Sequence, residues 1–191
     1  MNATDAIVVG ASAGGVSALL AVFGALPADY TIPLLCVLHL PDGRHSQLAE
    51  VFSRRLQRPV QEARDKEPVR PGMIYVAGPS YHLSVERDRS LSLSQEDRVH
   101  FSRPSIDILF ESAADAYGEG LVGVLLTGAN EDGARGLARI KHNGGTTVIQ
   151  DPHEAQVAVM PEAALALHRP DHILPLNGIG QLLAKLEPRA C

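Results

Sequence analysis

The chain has 191 residues, 45% of them hydrophobic, which is enough for one domain with a substantial core. Its 17 Lys and Arg against 22 Asp and Glu leave a net charge of −5, so no basic surface points to nucleic acid. Two cysteines, Cys36 in an apolar run and Cys191 at the end, form neither a disulfide framework nor a metal-ligand pattern, and no apolar run approaches membrane-span length; the expectation is a soluble, cytoplasmic protein with no membrane insertion.

The apolar run Ile7-Val8-Val9 stops at Gly10-Ala11-Ser12-Ala13-Gly14-Gly15, and a helical pattern begins near Val16 with Leu19, Leu20, Val22, Phe23 and Leu26. That is a strand, a tight turn and a helix start. A serine in such a turn stands beside N–H groups that have no intrahelical acceptor, and the helix dipole favours negative charge there. The residues also fit the G-x-S-x-G nucleophile elbow, which demands this strand–turn–helix setting. Two other readings stay open here. A dinucleotide-binding loop is disfavoured because Ser12 takes the middle glycine's place and the second strand ends in His39 rather than an acid. A structural turn with an incidental serine is the other.

Residues 33–40 are a continuous apolar run ended by Pro41, suited to a parallel strand covered on both faces. His39 then lies at the carboxyl end of that strand, the edge where ligands gather in open α/β sheets. An amphipathic helix is predicted over 45–56 with Leu48, Val51, Phe52 and Leu56 on its stripe, starting at His45 and Ser46. Residues 60–67 are polar and aperiodic, and 68–72 read as a turn. Three strand-like pieces follow at 74–77, 81–86 and 91–94; the last two flank the polar turn Arg87-Asp88-Arg89-Ser90 and predict a small antiparallel hairpin insertion. His82 reads as a strand residue.

Arg103-Pro104-Ser105 introduces a helix striped by Ile106, Leu109, Phe110, Ala113, Ala114 and Tyr117, with Gly118 and Gly120 past its end. A buried strand at 121–126 runs into the loop Thr127-Gly128-Ala129-Asn130-Glu131-Asp132-Gly133, which opens a helix over 134–142. A strand at 146–150, a helix at 160–167, a short strand at 172–175 and a helix at 179–186 complete the chain. Strand and helix alternate nearly throughout, with no linker and no repeat. The pattern predicts one α/β domain over 1–191, doubly wound, with a mainly parallel sheet and helices on both faces.

On parallel strands, Ser12, His39 and Asp132 all fall on one rim of the sheet. A serine nucleophile needs an imidazole to take its proton, and the imidazole needs a carboxylate to fix its tautomer and stabilise its charge. The order Ser, His, Asp differs from the Ser, Asp, His order of the α/β-hydrolases. Singly each residue has another reading: a strand-end histidine can be structural, Asp132 can cap the helix it precedes, and Glu131 and Asp151 compete for the acid role.

Gly10-Ala11-Ser12-Ala13-Gly14-Gly15, Leu38-His39-Leu40-Pro41, Arg103-Pro104-Ser105-Ile106-Asp107, Leu126-Thr127-Gly128 through Glu131-Asp132-Gly133-Ala134, Gln150-Asp151 and Met160-Pro161 together resemble the catalytic domain of chemotaxis protein-glutamate methylesterases of the CheB type. The blocks stand in the family's order and span nearly the whole chain. The resemblance implies a Ser–His–Asp hydrolase that demethylates glutamyl methyl esters on the cytoplasmic helices of chemoreceptors, and in some members deamidates receptor glutamines, with no cofactor and no metal. By motif, Ser12 is the nucleophile, His39 the base and Asp132 the orienting acid. Ala13 and Gly14 at the helix start, with Ala129 and Met160, are the implied oxyanion and substrate-binding residues.

Regulated members carry an N-terminal receiver domain whose docking blocks the site, and the resemblance covers none in this chain. The chain is then either a stand-alone esterase or one domain of something longer; a separate receiver domain or signalling proteins are candidate partners, and the chain itself is an expected monomer. Departures from the family pattern are Ala13 after the nucleophile instead of Thr, Ala129 and Asn130 after Thr-Gly instead of Met and Gly, and Glu162 after Met-Pro. They keep a second reading open, a catalytically weakened relative that serves as a binding or regulatory module.

Overall fold

The computed structural model describes residues 3–40 and 47–189. Seven strands form one sheet: β1 (Ala6–Ala11), β2 (Leu34–Leu38), β3 (Val60–Glu62), β4 (Ile74–Val76), β7 (Leu121–Leu125), β8 (Thr146–Gln150) and β9 (His172–Leu174). Their spatial order is β3-β4-β2-β1-β7-β8-β9, and every pairing is parallel. The hairpin β5 (His82–Val85) and β6 (Leu91–Ser94) is a separate antiparallel sheet. Of the three strand-like pieces, the first thus joins the parallel sheet and the other two make the predicted insertion.

Helices α1 (Gly15–Gly24), α2 (Leu48–Leu56) and α6 (Leu176–Ala184) cover one face, where Ile7 and Val9 of β1 share one core with Leu19, Phe23, Phe52 and Leu183. Helices α3 (Ile106–Tyr117), α4 (Ala134–His142) and α5 (Val159–Leu167) cover the other with the hairpin, where Ala6 and Val8 meet Phe110, Leu137, Ala164 and Leu83. Alternate residues of β1 point to opposite faces, both dry, so all six are buried and the strand reads as an unbroken apolar run.

The sequence reading has no strand at 60–62. β3 is an edge strand none of whose residues is buried, so it carries no apolar alternation to find. α6 begins at Leu176, three residues earlier than its periodicity suggests, directly after Pro175 fixes an extended N-cap. Pro41, the helix start at His45 and Ser46, and Cys191 lie outside the described residues. His82 is a structural residue: wholly buried, it accepts the Ser105 N–H on Nδ1 at 3.1 Å and lies 3.0 Å from the Asp97 carbonyl through Nε2, tying the hairpin to the start of α3.

β1 is the switch point of the sheet. The chain builds β2, β4 and β3 to one side of it and β7, β8 and β9 to the other, which leaves a crevice beyond the carboxyl ends of β1, β2 and β7.

Candidate active site

Ser12 follows β1, His39 follows β2, and Asp132 sits in the loop between β7 and α4. The parallel ladder continues past the strand ends, with the His39 N–H donating to the Ala11 carbonyl at 3.0 Å and the Ser12 N–H to the Thr127 carbonyl at 2.9 Å. Ser12 and His39 therefore leave adjacent strands in step. The chain then turns sharply, the Gly15 N–H reaching the Ser12 carbonyl at 2.8 Å.

Gly14 makes that turn possible. Its φ is +79°, and a Cβ there would come within 2.4 Å of Gln156 Oε1. α1 starts immediately afterwards with no side-chain cap, and among the described residues the N–H groups of Ala13 and Gly14 donate to nothing. The Ala129 N–H, on the exposed loop after β7, is also unclaimed among the described residues. The Ala13 and Gly14 donors stand at the positive end of α1 directly after Ser12, where negative charge is favoured.

The Asp132 carboxylate is wholly buried and fully engaged. Oδ2 accepts from His39 Nε2 at 2.8 Å and the Ile106 N–H at 2.7 Å, while Oδ1 accepts from the Ser105 hydroxyl at 2.8 Å and the Asp107 N–H at 3.0 Å. Two of these donors are the first N–H groups of α3, which Ser105 leaves uncapped because its hydroxyl goes to Asp132 instead. Burial pushes the carboxyl's pKa up, but the His39 hydrogen bond and the two backbone donors outweigh it and hold Asp132 below the usual carboxylate range. It is thus an anion aimed at an imidazole.

With Nε2 bonded to Asp132, the other ring nitrogen of His39 is the one left to accept a proton. Nδ1 lies 3.4 Å from the Ser102 hydroxyl. The Ser12 hydroxyl makes no hydrogen bond among the described residues, and its β-carbon faces Gly128, where an added Cβ would stand 3.0 Å from it. Catalytic hydrogen bonds are often open until substrate is bound. Of the three acids considered from sequence, Asp132 alone bonds His39. The Glu131 side chain is 69% exposed and pairs with His100, and Asp151 accepts the His153 N–H in a turn.

Thr127 joins Ser12's turn to the neighbouring loop. Its N–H donates to the buried Gln150 side chain at 2.8 Å, and its hydroxyl lies 2.8 Å from the Ala13 carbonyl and 2.9 Å from the Val157 N–H. Met160 is completely buried beneath Gly128, whose carbonyl it binds through its N–H at 3.1 Å, so it supports the loop from below.

Among the neighbours of the site, Ser102 and His100 do not figure in the sequence reading, and Ser105 and Asp107 enter it only through the helix start and the Arg103-to-Asp107 block, with no site role assigned. Asp107 is buried and takes the Gly133 and Gly136 N–H groups on Oδ1 at 3.0 and 2.7 Å, so that Asp132 serves the start of α3 while Asp107, on α3, serves the start of α4. Burial pushes the Asp107 carboxyl up, the Gly136 N–H opposes it, and the charges of Asp132 and Glu111 raise it further, for a net upward shift. His100 lies 3.4 Å from Asp107 Oδ2 and 3.2 Å from Glu131 Oε1. His100, Asp107 and Asp132 could in principle converge on a cation, but the four donors on Asp132 already use both of its oxygens. The sequence signal for Ser105 and Asp107 was their place at the start of a strong helix, where a serine and an acid ordinarily cap.

The family model described as CheB methylesterase matches residues 7–183. A protein of Leptospira interrogans, provisionally named protein-glutamate methylesterase/protein-glutamine glutaminase, is 43% identical over 183 residues, covering 96% of this chain and 95% of its own length. Relatives bearing that name in Symbiobacterium thermophilum and Pseudomonas aeruginosa are 36% and 38% identical, and the chain spans 49% and 54% of their lengths. The crystal structure of the Thermotoga maritima CheB methylesterase catalytic domain superposes with a TM-score of 0.90 at 30% identity, covering 97% of this chain and all of that one.

Proposed function

This chain belongs to the CheB methylesterase family, and from that premise we propose that it hydrolyses γ-methyl esters of glutamyl residues on chemoreceptors, with glutamine deamidation as the parallel reaction of the same site. The observation that carries the reading is the wholly buried Asp132 carboxylate bonded to His39 on the strand adjoining Ser12. An ionised, fully hydrogen-bonded acid on an imidazole beside a serine elbow has a clear use in acyl transfer.

The chemistry runs as follows. The Ser12 Oγ attacks the ester carbonyl while His39 Nδ1 takes its proton, and Asp132 holds the Nε2–H and stabilises the imidazolium. The tetrahedral oxyanion is received by the free N–H groups of Ala13 and Ala129. Collapse breaks the bond to methoxide, which leaves as methanol with the proton from His39. Water, deprotonated by His39, then attacks the acyl-serine, and Ser12 recovers its proton as free glutamate departs. With an amide substrate the same steps release ammonia.

Ala129 leaves this sequence of steps intact, since its part is a backbone donor that does not depend on the side chain. The substrate is a protein segment that places a glutamyl side chain in the crevice beyond β1, β2 and β7. Mass spectrometry of methylated receptor peptides tests the reading: conversion of the methyl ester to glutamate by the wild-type chain, lost in Asp132→Ala and His39→Gln, is the expected result. Full conversion by either variant would contradict it. A glutamine-bearing peptide followed in parallel tests the deamidase arm.

A further inference from the structure

Phe101 is 93% exposed, more than any other large apolar side chain among the described residues. It stands at the tip of a four-residue turn whose ends are paired, the Val99 N–H with the Ser102 carbonyl at 3.1 Å and the Ser102 N–H with the Val99 carbonyl at 2.8 Å. Its two central residues, His100 and Phe101, have φ of +47° and +62°. Such turns ordinarily carry Asn and Gly, and bulky side chains in that region of φ are strained.

The strain is held in place from several sides. The His100 ring bridges Glu131 at 3.2 Å and Asp107 at 3.4 Å, the His100 carbonyl accepts from Asn130 Nδ2 at 3.5 Å, and the Phe101 carbonyl accepts from Arg98 at 3.2 Å. The next residue is Ser102, whose hydroxyl faces the catalytic imidazole. A phenyl ring is thus presented to water, on a braced turn, one residue from a contact with His39.

Leu40, exposed and next to His39, lines one cavity with Phe101, Ser102 and His39, and two more exposed apolar side chains stand on segments that build the site, Val16 in the first turn of α1 and Val159 next to Met160. Leaving Phe101 in water and its backbone strained brings nothing to the fold. It does suit binding, because an aromatic ring already fixed in place loses little freedom when covered.

We propose that Phe101 is a specificity-determining residue, an anchor that packs against apolar side chains of the protein substrate flanking the modified glutamate, with Val16, Leu40 and Val159 completing the rim. The inference rests on the esterase reading above and adds which surface of the enzyme reads the protein around the ester. A small ester that reaches only Ser12 and His39 has no use for this ring.

The test compares two substrates, the methylated cytoplasmic domain of a chemoreceptor and the γ-methyl ester of N-acetylglutamate. Phe101→Ala and Phe101→Asp are expected to lower kcat/KM on the receptor domain about tenfold or more, chiefly through KM, and to leave the small ester within about twofold of wild type. Phe101→Tyr should restore the receptor activity. Receptor kcat/KM within twofold of wild type in both variants would overturn the inference, as would equal losses on the two substrates, which would mean that the turn positions the catalytic groups instead. Hydrolysis of neither substrate by the wild-type chain would overturn the esterase reading itself.

Discussion

Asp132→Asn is the substitution with the most to say about how this site is built. The carboxylate accepts from four donors at 2.7–3.0 Å, two on each oxygen. An amide has one acceptor oxygen and turns an NH2 toward the other pair. If the oxygen stays with Ile106 and His39, the Ser105 hydroxyl can rotate to accept but the buried Asp107 N–H loses its partner. If it stays with Ser105 and Asp107, the Ile106 N–H and His39 both face a donor. A buried unpaired N–H costs about 1–3 kcal/mol, and the remaining bonds lose their charge assistance, so the expected destabilisation is about 2–5 kcal/mol. Turnover should fall roughly 10⁴-fold, since the imidazole loses its anionic partner.

Asp107→Asn is the matched control. The amide oxygen keeps the Gly133 and Gly136 N–H groups, and the NH2 takes the place of Oδ2, which makes no hydrogen bond and lies 3.4 Å from His100 Nε2, so no existing bond is broken. Its stability should stay within about 1 kcal/mol of wild type. Denaturant unfolding of the two variants with methanol-release kinetics is the assay. Asp132→Asn with wild-type stability, or with activity within tenfold of wild type, would refute the reasoning. So would equal damage from Asp107→Asn.

Three other outcomes follow from the same geometry. Asp132 has a folded pKa below its ordinary 3.8, so the unfolded chain binds the proton more readily; its contribution is in place above pH 3.8 and is lost as pH falls from there through the folded value. The stability gap between wild type and Asp132→Asn should therefore narrow below about pH 4 in denaturation experiments run across pH; a constant gap would contradict the assignment. Gly128→Ala places a methyl 2.5 Å from Met160 Cε and 3.0 Å from the Ser12 β-carbon, and should cost about 1–3 kcal/mol in unfolding experiments while lowering turnover, because the two nearest neighbours are a packed side chain and the proposed nucleophile. Burial pushes the Cys36 thiol up to about 12, so mass mapping after alkylation at pH 8 should find Cys36 unmodified in the folded protein and modified once it is unfolded.

The three residues at the crevice were legible because each follows an apolar run that ends abruptly. Ser12 and His39 come after strands buried on both faces, and Asp132 lies in a glycine-bounded loop before α4. α4 and β8 match their expected bounds, Ala134–His142 and Thr146–Gln150, because Gly133 and the Gly144-Gly145 pair mark their starts. What could not be read are the contacts that close the site. Ser102 meets His39 across 63 positions of chain and Asp107 meets Gly136 across 29, and no local pattern encodes such pairs. Ser105 sits at the N-cap position of α3 yet gives its hydroxyl to a carboxylate from another loop, which its local sequence does not encode. The strained turn carrying Phe101 is equally silent, because His100 and Phe101 are not residues that announce a left-handed conformation.

The central claim, that this chain cleaves glutamyl methyl esters through Ser12, is tested most directly by methanol release from a methylated receptor cytoplasmic domain at neutral pH, wild type against Ser12→Ala. The Ser12 hydroxyl makes no hydrogen bond among the described residues, so the variant should fold with stability within about 0.5 kcal/mol of wild type. Release by the wild type that falls on the order of a million-fold in the variant is the predicted result. Comparable release by the two proteins, or none from a folded wild type across several receptors, would contradict the account.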